Sequence, residues 1–193
     1  MSAWPLTDGV VYTLSMAGGV MAPKGLKATS SPIQISAEVI ETALATFTSE
    51  QIDLTLNVLD NEVFVVTQIN LDAQSPDSVT GVSTAVDASI STTARLTVGT
   101  IANANVLGSA NRSIVCNGAM TADGGHAFER EDPLFAAISE DYLGIIATNN
   151  AFLNVVGTGN ITPKACRVRV YGYRATASSS TYAALVQSEL LSA

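Results

Sequence analysis

Between Cys166 and Thr176 the sequence reads CRVRVYGYRAT, in which arginine and tyrosine alternate with valine and glycine. Lys164, Arg167, Arg169 and Arg174 are four of only nine basic residues in the chain, gathered within eleven positions. On a strand, Arg167, Arg169, Tyr171 and Tyr173 share one face, and Cys166, Val168, Val170, Gly172 and Arg174 share the other. Basic residues interleaved with aromatics have the chemistry of a stacking platform for single-stranded nucleic acid. The same pattern also serves as the polar face of an ordinary strand, its arginines paired with acids of a neighbouring strand or subunit. The formal charge of −8 opposes approach to phosphate, and no second basic cluster extends the patch. Arg167, Arg169, Tyr171 and Tyr173 are therefore assigned to packing or assembly, and no direct nucleic-acid partner is expected.

The other place where chemistry could reside is DGGHAFEREDP, which holds the single histidine. Asp123, His126, Glu129, Glu131 and Asp132 lie close together, but they match no fixed ligand spacing and lack the oxygen-rich loop a hard cation needs. They read as a solvated acidic loop. A serine or cysteine nucleophile would have only His126 as its base, and no G-x-S-x-G elbow is present. The pairs Glu131–Asp132 and Glu140–Asp141 are sequence neighbours, which a strand would point in opposite directions. GTGN and MAGG lack the strand–loop–helix context of a phosphate cradle and read as turns. No enzyme, metal or organic cofactor is expected. Cys116 and Cys166 are too few for a disulfide framework and are read as two buried thiols, although one bridge between them is open.

The elements that must position these residues are mostly strands. Residues 1–50 read as an N-terminal arm with a short helix or irregular strand, and residues 51–193 as one β-domain. The arm is nearly uncharged as far as residue 34 and punctuated by Gly and Pro, which implies order only against a neighbouring surface. SAEVIETALATF follows, with Ile40, Leu44 and Phe47 at helical spacing. QIDLTLNV alternates strictly and predicts a half-buried strand over 51–58. VFVVTQINLD (63–72) is a continuous apolar and β-branched run, which predicts a central strand covered on both faces. Further strands are predicted over 82–90, 94–101, 105–116, 141–148, 151–157 and 166–176, with long loops at 73–81 and 117–140. Asn149–Asn150 between two of them predicts a hairpin. STYAALVQSELL (180–191) is the best helix, with Tyr182, Leu185, Val186 and Leu190 on one face. About eight strands without crossover helices imply an antiparallel β-sandwich, a single jelly roll with a short C-terminal helix.

The 193 residues are 47% apolar and only 13% charged. Such a neutral, small-residue surface suits contacts between subunits. Residues 142–163 carry no charge but hold four asparagines and three glycines, which a bilayer would exclude, so no membrane span is expected. SAWPLTDG after Met1 lacks the features of a secretory signal, so export by the general route is not expected.

The uncharged arm, the strand count, the two long loops and the Ser/Thr/Ala/Asn-rich surface together resemble a single jelly-roll viral capsid protein over residues 50–176. That resemblance implies a structural subunit of a virion, assembled in the host cytoplasm, whose partners are copies of itself and other virion proteins. The arm departs from the family pattern because it holds only Lys24 and Lys27, so such a shell would not neutralise its genome itself. Two alternatives stand beside it. One is an extracellular filament or adhesin subunit at a cell surface, which donates a strand to its neighbour. The other is a β-sandwich carbohydrate-binding module, against which stands the position of the one tryptophan, Trp4, outside the β region.

Overall fold

The structure is a computed structural model that describes residues 22–23, 25–116, 126–131 and 142–191, with backbone alone at Arg130 and Glu131. Among these residues, ten strands form two antiparallel five-stranded sheets. The first sheet joins β1 (Leu26–Ala28), β2 (Ile33–Ile40), β4 (Glu62–Ala73), β8 (Gly144–Ile146) and β10 (Ala165–Ala177). The second joins β3 (Thr48–Asp53), β5 (Thr84–Ser91), β6 (Val106–Val115), β7 (His126–Glu131) and β9 (Asn150–Thr158) in the order β3-β9-β5-β6-β7. One helix, α1 (Ser179–Leu191), follows β10. The protein is an all-β sandwich with a C-terminal helix.

Alternation explains the layers. Cys166, Val168 and Val170 of β10 point between the sheets and meet Val86, Ala88, Ile90, Leu153 and Val155 from the facing sheet. The first half of β4, Val63–Val66, is apolar on both faces because both are covered there, whereas Asn70 and Asp72 of the second half are exposed on the outer face. Phe64 and Val66 enter the main core, while Val63 and Val65 join a second cluster with Tyr173, Ala175 and Ala177, packed against Tyr182, Leu185 and Val186 of α1.

A β-bulge in β4 makes this possible. Tyr171 pairs with Gln68 and Gly172 with Val66, so Thr67 has no opposite residue, and its hydroxyl donates to the Tyr171 carbonyl. The extra residue flips the parity, and Ile69, Leu71 and Ala73 then face the main core. Gly172 is required where the strands crowd, since a Cβ there would lie 2.3 Å from the Val65 carbonyl oxygen and 2.7 Å from the Phe64 ring. A backbone oxygen cannot rotate away. Gly172→Ala is expected to destabilise by about 1–3 kcal/mol in urea denaturation.

Several expectations need correction. β1 and β2 both pair with β10 of the same chain, so residues from Leu26 onward belong to the sandwich and not to an arm. The expectation for residues 1–21 and Lys24 lies outside the described residues. The helical spacing of Ile40 and Leu44 is accidental, since Ile40 ends β2, Leu44 lies in the connection after it, and both side chains are exposed. β3 stops at Asp53 because Thr55 adopts a positive φ of 50°, where its N–H donates to Asp53 Oδ1. β7 forms where a loop is expected, its backbone paired with β6.

Residues 94–101 form no strand but cross the outer face of the second sheet. Gly99 N donates to Ser89 Oγ, and Arg95 Nη1 donates to Asn105 Oδ1. Side-chain partners of this kind replace a ladder. The Asn149–Asn150 turn is no hairpin either. β8 pairs with β4 and β9 with β3 and β5, so the turn passes from one sheet to the other. Asn149 instead accepts from Leu54 N through its carbonyl and from Leu56 N through Oδ1.

Candidate assembly surface

β10 runs through the middle of its sheet, between β2 and β4, and cross-strand rows build the surface from it. Arg167 stands between Glu38 and Asp72, Arg169 between Ser36 and Asn70, and Tyr171 between Gln34 and Gln68. Arg167 Nη2 meets Glu38 Oε1 at 2.7 Å with both side chains about half exposed. Such a pair contributes little, about 0–1 kcal/mol. Arg169 is exposed and has no ionic or hydrogen-bond partner among the described residues. Tyr171 is half-buried.

Tyr173 shares their face, yet its exposure is 0% because α1 covers this half of the strand. That removes it from any surface available to a neighbour. α1 is itself tied down, with the Tyr182 hydroxyl donating to the Ala147 carbonyl. The Glu189 carboxylate accepts from Ala147 N and Thr148 N at 3.1 and 3.0 Å. Burial pushes the Glu189 carboxyl above its ordinary value, with these N–H donors pulling the other way.

The basic cluster of the sequence disperses in space. Lys164 is 1% exposed, and its Nζ lies 2.5 Å from Asp77 Oδ1. Arg174 turns to the opposite face, where Nη2 donates to the Leu54 carbonyl at 3.2 Å and to Thr55 Oγ1. With Arg167 on Glu38, Arg169 is the only one of the four left without an acceptor. A stacking platform needs several cations along one groove, and this face presents one uncommitted cation beside one half-buried tyrosine.

Lys164 instead belongs to a knot that sequence reasoning missed. Asp77 Oδ2 accepts from Ile161 N, Thr162 N and the Thr162 hydroxyl, while Asp77 N donates to Asn160 Oδ1. Glu41, only 4% exposed, accepts from Gly157 N and Thr46 N on one oxygen and from Lys164 N on the other. Three connections, β2–β3, β4–β5 and β9–β10, are thus bound together at one end of the sandwich. The Lys164 ammonium holds the Asp77 carboxyl at about 2, below the ordinary 3.8, with the Thr162 and Ile161 donors adding to it against desolvation. No local signal marks Glu41 or Asp77, because each meets Lys164 only through the fold.

Of the acidic loop, Asp123 and Asp132 lie outside the described residues. His126 and Glu129 sit on β7, and Glu129 is engaged by Arg112 Nε at 2.8 Å. Arg112 also reaches Asp72 Oδ1 of the other sheet at 3.3 Å, strapping the layers at one edge. No group of three metal-ligating side chains converges among the described residues. Cys116 and Cys166 form no disulfide, and Cys166 is buried in the core. No described helix is long and apolar enough to cross a membrane. No protein-family model and no curated protein matches the chain, so strand order and surface chemistry are what separate one role from another.

Proposed function

We propose that this chain is a self-assembling structural subunit, a virion coat protein that acts through contacts between copies of itself. The order of the strands carries the reading. β1 and β2 pair with the same side of β10 and count as one interrupted edge strand, and β7 is an addition beyond β6. What remains is β2-β10-β4-β8 facing β3-β9-β5-β6, each pair antiparallel. Eight strands wound in this order support a jelly roll of two Greek keys, an architecture used by viral capsid and lectin domains.

Fold alone does not assign a role, so the surfaces weigh in. Connections at both ends of the sandwich carry exposed apolar side chains, with Leu59 at 94%, Leu96 at 92% and Ile161 at 67%. Scattered apolar tips around a neutral body suit contacts with several neighbours better than one concave glycan site. The engagement of Arg167, Lys164 and Arg174 within the chain also supports assembly over capture of nucleic acid.

Electron microscopy and light scattering of the purified protein test the proposal. Closed shells or discrete higher oligomers are expected. Fibres would favour the filament alternative, and a monomer at every concentration would overturn self-assembly. Arg167→Ala/Arg169→Ala is expected to lower assembly yield. Binding of single-stranded DNA by wild type, weakening with a log–log salt slope of about −0.7 per phosphate contact, would reassign the face to nucleic acid.

A further inference from the structure

The outer edge of β2 has no partner strand among the described residues. It runs for eight residues, Ile33–Ile40, with no bulge in its pairing to β10 and with no proline or lysine within it. Natural edges are usually blunted by just those devices, because an unpaired row of N–H and C=O groups is a template for another strand. Within Ile33–Ile40 the edge carries none of these three, and its one charge is Glu38.

The hydrogen-bond phase of the edge follows from one contact. Glu41 N donates to the Lys164 carbonyl at 2.8 Å, which extends the β2–β10 ladder by one pair. Antiparallel partners alternate between bonded and non-bonded pairs, so the odd residues of β2 direct their backbone groups at β10. Gln34, Ser36, Glu38 and Ile40 therefore direct theirs outward. We infer that β2 of a second copy pairs antiparallel with this edge about a two-fold axis at Ala37, joining the two sheets into one. This inference rests on the self-assembly proposed above and names the surface that performs it.

Register and charge select that axis. With the axis at Ala37, Ser36 stands opposite Glu38 of the second copy, and every outward backbone group finds a complement. The outer row then reads Asn70, Arg169, Ser36 and, across the junction, Glu38, Arg167 and Asp72 of the second copy. Arg169 lies two strand spacings, about 10 Å, from that Glu38. Only short Ser36 intervenes, along an open groove of about 510 Å³. The exposed arginine with no partner thus meets the glutamate already held by Arg167, once on each side of the axis. An axis at Glu38 would set two like charges directly opposite. An axis at Ser36 would put Glu38 of the second copy beyond Gln34, in the row of Tyr171. Such an interface is isologous, as two-fold contacts must be. On the inner face, Ile35 comes opposite Val39 and carries the apolar layer across the junction.

Sedimentation velocity of the full chain over a concentration series tests this. Ser36→Pro removes an amide that points away from β10, so it spares the ladder within the chain while blocking the edge. Arg169→Glu and Glu38→Arg each place like charges across the axis. All three variants are expected to weaken association about tenfold or more, with far-UV circular dichroism unchanged, while Glu50→Arg, an exposed charge on β3 of the other sheet, behaves as wild type. An equimolar mixture of Arg169→Glu and Glu38→Arg is expected to recover association, because each junction then pairs opposite charges. If wild type assembles and the variants assemble equally, or the mixture fails to recover, this interface is wrong while self-assembly stands. If wild type is monomeric throughout, both fail.

Discussion

Asp77→Ala is expected to lower stability by about 3–5 kcal/mol in urea denaturation, among the largest losses for a single residue outside the apolar core. The substitution leaves the Lys164 ammonium 1% exposed without its carboxylate and strips Ile161 N and Thr162 N of their acceptor. Removing the other partner should cost less. After Lys164→Met the Asp77 side chain, 22% exposed, keeps the Thr162 and Ile161 donors, and the methionine fills the space of the lysine stem. Equal losses in the two variants would show that the pair does not behave as a buried cation held by a half-solvated anion.

The same site sets an acid limit. The folded Asp77 carboxyl titrates at about 2 and the ordinary one at 3.8, so the unfolded chain takes up the proton first. Its contribution is present above the ordinary value and is lost as pH falls toward 2. Asp77→Asn should flatten the stability profile in that window. A profile with the same slope in both proteins would remove Asp77 as its source.

Tyr173→Ala is expected to cost a similar amount, about 3–5 kcal/mol, because it empties a site at 0% exposure between β4 and α1. The loss should also be local. Amide exchange in α1 is expected to accelerate more than in β5 or β9, which pack in the other cluster. Uniform acceleration would mean that the helix and the sandwich open as one unit.

How much of this was legible in the sequence varied with the physics behind each element. β10 was readable because its alternation is intrinsic, while α1 was found with only part of its face: Tyr182, Leu185 and Val186 pack on the sheet, but Leu190 is exposed and Glu189 is buried. β4 was readable over Val63–Val66, where an apolar run must be covered twice, but not beyond, where Asn70 and Asp72 face outward. The 94–101 run looked like a strand by composition, but a strand needs a partner, and here Ser89 and Asn105 supplied the bonds instead. Asn149–Asn150 marked a turn correctly without saying whether its strands stay together, since that depends on which sheet has a vacancy. The shared face of Arg167, Arg169, Tyr171 and Tyr173 followed from alternation alone. That α1 would bury one end of that face, and that Lys164 would leave it for Asp77, is set by segments far away in the chain.

The place of β10 also has a consequence during synthesis. The central strand of the first sheet is the last of the ten described strands, so β1 and β2, made well before it, wait for a partner that emerges near the end of synthesis. Chains dominated by such distant pairings fold slowly, and their intermediates expose what the native state hides. Until Ala165–Ala177 arrives, β4 has its most apolar stretch, Val63–Val66, open along one edge and uncovered by α1. A ribosome stalled before Ala165 would therefore present the stickiest strand of the sandwich without the neighbour that shields it, and quality control would meet the chain at that point.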